Sequence, residues 1–171
     1  MRKHDSLRAA LTAALPELAR DPDALAIYIE QGRIAARFGH NLGWEYRYDC
    51  HLTLINWRSA PEQVFLPLVL WLRQYQHDSL LNHERGVSAI KFNVDVVDAD
   101  AVDIEIILPL TEAVDVLPQQ DGSYRMTLRE EPPIAGTELV IDPAAILRQI
   151  YAPSGPERTF IVGHPDPSPD P

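Results

Sequence analysis

An α+β fold, an antiparallel sheet of a meander plus hairpins with two main helices packed on it, is what this sequence predicts. Three observations carry the expectation. In the stretch from Trp44 to Trp57, large apolar side chains recur at every second position: Trp44, Tyr46, Tyr48, Cys50, Leu52 and Leu54. A period of two places them on one face of a strand, with Glu45, Arg47, Asp49, His51 and Thr53 on the other. Directly after it, Val64, Phe65, Leu68, Val69, Leu72 and Tyr75 recur at helical spacing. Farther on, Ile90–Val96 and Val102–Leu108 alternate on either side of Asp98-Ala99-Asp100, the pattern of a hairpin with one wet, acidic face.

The elements follow in order. Asp5 or Ser6 is expected to cap a first helix whose apolar stripe is Leu7, Leu11, Leu15 and Leu18, bent at Pro16 and ended by Asp21-Pro22-Asp23. Leu25, Ile27 and Ile29 lie on one side of a strand, and Gln31-Gly32 turns it into a second strand carrying Ile34, Ala36 and Phe38. With the Trp44–Trp57 strand these make a three-stranded meander. The strand at Trp44–Trp57 is longer than the usual five or six residues, so it belongs in the middle of the sheet, paired on both edges. Ser59-Ala60-Pro61-Glu62 reads as a capping box for the second helix, with Pro67 kinking its first turns. Gln76–Ser88 is a polar connection. Pro109 is expected to end the acidic hairpin, and a second hairpin turns at Asp121-Gly122.

Glu130-Glu131-Pro132-Pro133 marks a boundary, which divides the chain into a main domain at 1–132, a short strand and helix at 133–152, and a proline-rich arm at 153–171. In the middle piece Glu138–Ile141 reads as a short strand and Asp142-Pro143 as a helix start. The arm holds six prolines and reads as extended, partly polyproline II, ordering against a partner. Its apolar island, Thr159-Phe160-Ile161-Val162, is suited to adding a strand to a neighbouring sheet edge.

Composition narrows function mainly by exclusion. The net charge of −10 argues against wrapping nucleic acid, which needs Lys and Arg to neutralise phosphates. The charge is uneven: residues 1–20 carry a net of +2, and residues 89–115 a net of −6. No run of apolar residues is long enough to span a membrane, and no apolar core follows the basic N-terminus, so neither a membrane span nor a secretory signal is expected. The single cysteine, Cys50, rules out an internal disulfide, and its place on the apolar face makes it a small buried hydrophobe.

No catalytic constellation stands out. The elbow, phosphate-loop, dinucleotide and zinc-protease motifs are all missing. His77 and His83 match no metal spacing. Asp98, Asp100 and Asp103 are close enough for a calcium ion, but Val102 and Asp103 occupy places where an EF-hand loop wants an oxygen ligand and a glycine, so a solvated turn is the better reading. Glu30, Glu45 and Asp49 read as surface carboxylates. Trp44, Tyr46 and Tyr48 read as core rather than as a stacking platform for bases. Neither a metal nor a cofactor is expected.

Four stretches in register resemble the tail completion protein R family of P2-like contractile-tailed phages. They are Ser6–Leu18, Gly43–Tyr48, the helical Pro67-Leu68-Val69-Leu70-Trp71-Leu72-Arg73, and Val102-Asp103-Ile104-Glu105-Ile106-Ile107-Leu108-Pro109-Leu110-Thr111-Glu112. The resemblance covers roughly Asp5 to Pro132. It implies a non-enzymatic virion protein that finishes the head-proximal end of a contractile tail, or of a tail-like bacteriocin particle, and prepares it for head joining. By analogy with tail terminators it implies a tail-terminator-like fold and a ring, of six subunits, on the tail tube. Tube and sheath proteins, and head–tail connector proteins, are the implied partners, with DNA at most a cargo in the lumen. The implied location is the virion tail or neck, and the host cytoplasm during assembly. A connector or neck protein, a protein-binding module and a small enzyme of the same layout are the competing readings. A ring needs two complementary surfaces per subunit. The basic first helix, with Arg2, Lys3 and Arg8, and the acidic hairpin, with Asp95, Asp98, Asp100, Asp103 and Glu105, are the candidates, the acidic face alternatively lining the lumen. Thr159–Val162 is the candidate docking arm.

Overall fold

In the computed structural model of the chain, residues 1–38, 42–81, 83–132, 149–154 and 157–163 are described. Helix α1 (Lys3–Ala14) is followed by α2 (Pro16–Arg20), a 3-10 turn (Pro22–Ala24), and the strands β1 (Leu25–Ala36) and β2 (Trp44–Trp57). Helix α3 (Glu62–Tyr75) and two single-turn helices, α4 (Asp78–Leu81) and α5 (His83–Gly86), lead to β3 (Lys91–Val96), β4 (Val102–Pro118) and β5 (Tyr124–Leu128). A separate hairpin pairs β6 (Gln149–Ser154) with β7 (Glu157–Gly163).

The main sheet is antiparallel throughout, in the order β1-β2-β4-β3, with β5 also paired to β4. As its alternation predicts, β2 spans Trp44–Trp57 and is paired on both edges. Its even-numbered residues from Tyr48 to Leu54 face the helices and are buried with Ile104, Ile106, Leu108 and Leu110 of β4. On this face lie Leu7, Leu11, Leu15 and Leu18 from the first two helices, and Val64, Leu68, Trp71 and Leu72 from α3. Trp71 is the largest fully buried side chain, and its indole N–H donates to Ser6 Oγ at 3.0 Å, tying α3 to α1. Among the described residues, none of α1, α2 and α3 packs on the opposite sheet face.

Several local expectations are corrected by tertiary context. Gln31-Gly32 does not make a turn between two strands. One residue more on β1 than on β2 separates the pairs Glu30–Asp49 and Arg33–Arg47, so the chain bulges and continues as one strand, with Gln31 at φ 51°. The meander is therefore one hairpin, β1–β2. A second bulge, with Asn56 at φ 55° and its N–H donating to Asp103 Oδ1 at 2.8 Å, moves Trp57 onto the apolar face. That is why a residue out of phase with Leu52 and Leu54 is buried.

The first helix begins at Lys3 and not after a cap at Asp5 or Ser6, and Arg2 at its N-cap makes no side-chain cap bond. Glu112 of β4 does that work from across the fold: its Oε2 accepts the Arg2 N–H at 2.7 Å, a carboxylate at the positive end of a helix. Pro16 ends α1 and starts α2 at the position where a missing N–H costs nothing. The Ser59–Glu62 capping box does not form. Pro61 is the N-cap of α3, without a side-chain cap bond, and the Ser59 hydroxyl donates to Glu17 Oε1 at 2.6 Å, pinning α2 to the β2–α3 connection.

Pro109 does not end a strand; β4 runs through it for 17 residues. The N–H of Thr111, two residues on and on the same edge, points away from β2 and donates to Gln76 Oε1 at 3.1 Å. The absent N–H of Pro109 thus falls on the edge left open between β3, which pairs only up to Ile107, and β5, which begins pairing at Val114. Gln76, 1 % exposed, closes this gap by donating to Thr111 Oγ1 and Asp78 Oδ1 as well. The turn at Asp121-Gly122 forms as expected, with Gly122 at φ 83° and Asp121 Oδ1 accepting from the Ser123 N–H and hydroxyl. The expected strand at Glu138–Ile141 and most of the helix after Asp142 lie outside the described residues.

Candidate assembly surfaces

Among the described residues, no cluster of three or more His, Cys, Asp or Glu is arranged to hold a metal ion, and no helix is long and apolar enough to cross a membrane. Cys50 is fully buried, and burial followed by the nearby Glu112 charge pushes its thiol up to about 12. At neutral pH it is a packed thiol, not a nucleophile. Tyr48 is shifted upward too, first by burial and then by its hydroxyl donating to Glu112 Oε1 at 2.5 Å. Glu112 therefore joins three elements: the tyrosine of β2, its own strand and the start of α1.

The structure separates the three basic residues of the first helix. Lys3 is 8 % exposed, with Nζ donating to Gln76 Oε1 at 2.7 Å and to Glu131 Oε1 at 2.6 Å. Its ammonium ties the N-terminal helix to the segment that follows β5. Arg8 is exposed but donates through Nη1 to the Leu25 carbonyl at 3.0 Å, at the start of β1. Arg2 is exposed and contributes its backbone N–H to Glu112. A cleft of about 410 Å³ opens beside Arg2, Lys3 and Glu112, with Tyr75 and Leu128 among its walls.

The acidic residues are brought together on the open sheet face and at one tip of the sheet. Asp95 and Asp103 stand directly opposite each other on β3 and β4, like charges facing across a strand pair. Asp103 is held by the Asn56 N–H, and Glu105 accepts from Asn93 Nδ2 at 3.2 Å. Asp98 and Asp100 are exposed in the turn, where Asp98 Oδ1 accepts the Asp100 N–H at 2.8 Å. The start of α1 and the end of this turn lie beside positions 112 and 102 of β4, about 34 Å apart at the usual strand rise.

His51 was invisible to sequence reasoning. On the open face, where alternation predicts a polar residue, it is only 7 % exposed. It stacks on Tyr28 at 5.0 Å, with the Glu30 and Glu105 carboxylates 3.6 and 3.7 Å from its ring nitrogens and no hydrogen bond to either nitrogen. Nothing in the local pattern distinguishes it from Thr53 or Asp49. Its burial comes from a tyrosine on the next strand.

At the other end of the open face the sign of the charge reverses. Arg33 and Arg47 face each other across β1 and β2. A recess of about 440 Å³ is lined by Arg37, Arg47 and Arg129 and by the carboxylates Glu45 and Asp115, with Ala35 and Ala113 in its walls. Arg47 pairs with Glu45 at 2.5 Å, and Arg129 makes a two-pronged pair with Asp115 that holds this carboxyl below its usual range.

The segment Thr159–Val162 lies in β7, whose one edge is occupied by β6 in the register Ser154–Glu157 to Gln149–Gly163. Strand β6 runs across position 153, so a hairpin stands where a single extended arm was expected to begin. A lone two-stranded hairpin has little stability of its own in water.

These surfaces and the packed interior define a structural class: an α+β domain with helices over part of one sheet face and the other face open and charged. Comparison with known proteins specifies it. Residues 1–132 match the model of the P2 phage tail completion protein R (GpR) family. The chain is also 32 % identical over 133 residues to tail completion protein R of Escherichia phage P2, covering 78 % of this chain and 85 % of that protein. No solved structure matches. The chain belongs to the tail completion protein R family, and its role is the structural one of phage tail completion.

Proposed function

We propose that this protein terminates the head-proximal end of a contractile phage tail, or of a phage-tail-like particle, as a ring of six subunits on the tail tube, and readies it for head joining. It does so without catalysis, in contact with tube and sheath proteins and then with head–tail connector proteins, first in the host cytoplasm and afterwards in the tail or neck of the virion. The single observation that carries this reading is the family match over residues 1–132, which takes in α1 to β5 and so the whole main sheet. A tail-terminator-like arrangement, with helices on one face of an antiparallel sheet, is compatible with it. The open face is available for neighbours, and a net charge of −10 keeps DNA in the lumen from adhering. The hairpin that carries Thr159–Val162 lies beyond the family match and serves as a docking arm on a neighbouring subunit or sheath protein.

The test is removal of the gene from a particle that carries it, followed by electron microscopy of the lysate. Tails of irregular length or tails that fail to join heads, restored by the wild-type chain supplied in trans, are the expected result. Normal tails joined to heads without the protein would contradict the reading. A chain truncated before residue 149 should fold normally yet restore assembly less well.

A further inference from the structure

A subunit that closes a ring needs a protruding patch and a different receiving patch, so that each copy meets the next in the same sense. The sheet carries one of each, at opposite ends. At one tip, the stretch from Asp95 to Asp103 holds four aspartates and no Lys or Arg, with Asp98 and Asp100 exposed. Beside them Val96 and Val97 are 77 % and 52 % exposed, large apolar side chains on a charged turn. At the far end lies the recess of about 440 Å³, lined by Arg37, Arg47 and Arg129, by the carboxylates Glu45 and Asp115, and by the apolar Ala35 and Ala113 on the same sheet face. Only two of those arginines have a carboxylate partner. Arg37 has none among the described residues, and Arg33 adds further positive charge opposite Arg47. Strand β4 joins the two patches, from Val102 to Ala113, a span of about 37 Å at roughly 3.4 Å per residue.

The geometry points to a head-to-tail joint in which the acidic β3–β4 turn of one copy seats in the arginine-lined recess of a second copy. Asp98 and Asp100 meet Arg37 and the rim arginines, while Val96 and Val97 lie on the walls of the recess. The joint explains two unfavourable features of the isolated subunit. Asp95 faces Asp103, and Arg33 faces Arg47; each like-charged pair destabilises its own sheet and is relieved by opposite charge from a neighbour. It also replaces helix α1 as the basic partner of the acidic hairpin, since Lys3 and Arg8 are engaged within the subunit. This inference rests on the ring reading above and names its contacts.

Sedimentation velocity of the full chain at low salt tests it. The wild-type chain should self-associate, more weakly as salt rises. Arg37→Glu and Asp98→Lys should each weaken association by about ten-fold or more. An equimolar mixture of the two variants should recover it, because every joint then pairs opposite charges: Asp98 with Arg37, or the new lysine with the new glutamate. Both sites are exposed, so circular dichroism should be unchanged. A wild-type chain that stays monomeric at every concentration, single variants that associate like wild type, or a mixture no better than its components would each overturn the joint. Wild-type capping of tail tubes, scored separately, reports on the tail-completion reading alone.

Discussion

The two ends of the helix-side sheet face follow the same alternation and meet different fates. From Tyr48 to Leu54 on β2, and from Ile104 to Leu110 on β4, every second residue is sealed beneath α1, α2 and α3. Toward the other end the alternation continues through Trp44, Ile34, Val116 and Met126, yet Ile34 and Met126 are 64 % and 63 % exposed. The period of two dictates which face a residue takes, and it says nothing about what covers that face. Covering is a tertiary property, set here by helices that reach only part of the sheet. The uncovered end is where the proposed assembly places a neighbour's surface.

Substitutions that break the covered end should have the largest effect. Trp71→Ala removes the largest buried side chain and its bond to Ser6, and should cost about 3–5 kcal/mol in urea unfolding. Glu112→Ala strands the buried Tyr48 hydroxyl and removes the acceptor at the start of α1, for about 1–3 kcal/mol by the same measurement. A third effect depends on pH. Cys50 and Tyr48 both have folded pKa values raised above their unfolded ones, so the folded state holds their protons more tightly. The Cys50 contribution is complete below the unfolded thiol value of about 8.5 and is lost as pH climbs to about 12, whereas that of Tyr48 starts to fall only above the unfolded phenol value of about 10. Near-ultraviolet circular dichroism should therefore show stability falling on the alkaline side from about pH 9, with Cys50 unreactive to thiol reagents until unfolding. The smallest effect on stability belongs to the uncovered end: Ile34→Ser and Met126→Thr should shift unfolding by no more than about 0.5 kcal/mol while reducing association with tail components.

Much of the fold was legible where a residue's neighbours in sequence are also its neighbours in space. The long strand from Trp44 to Trp57, the stripe of α1, the acidic hairpin and the Asp121-Gly122 turn are of this kind. What was not legible depended on distant partners. Pro109 reads as a strand terminator until one sees that its missing N–H faces a gap between two strands. Ser59 reads as a helix cap until Glu17 is brought within reach. Gln31-Gly32 reads as a turn because sequence cannot tell a single extra residue from a reversal of direction. Of the candidate interface residues, charge placed Asp95–Glu105 on one surface. The same argument could not know that Lys3 is enclosed by Gln76 and Glu131, or that Arg33, Arg37 and Arg47 gather at the far end of the sheet.

The central claim is that this domain caps one end of a tail as a ring. The most direct test is electron microscopy of purified tail tubes incubated with the full chain, with image averaging of the tube ends. Density for a six-fold ring at one end only is the predicted result. Tubes with bare ends, or with the protein bound along their length, would contradict it.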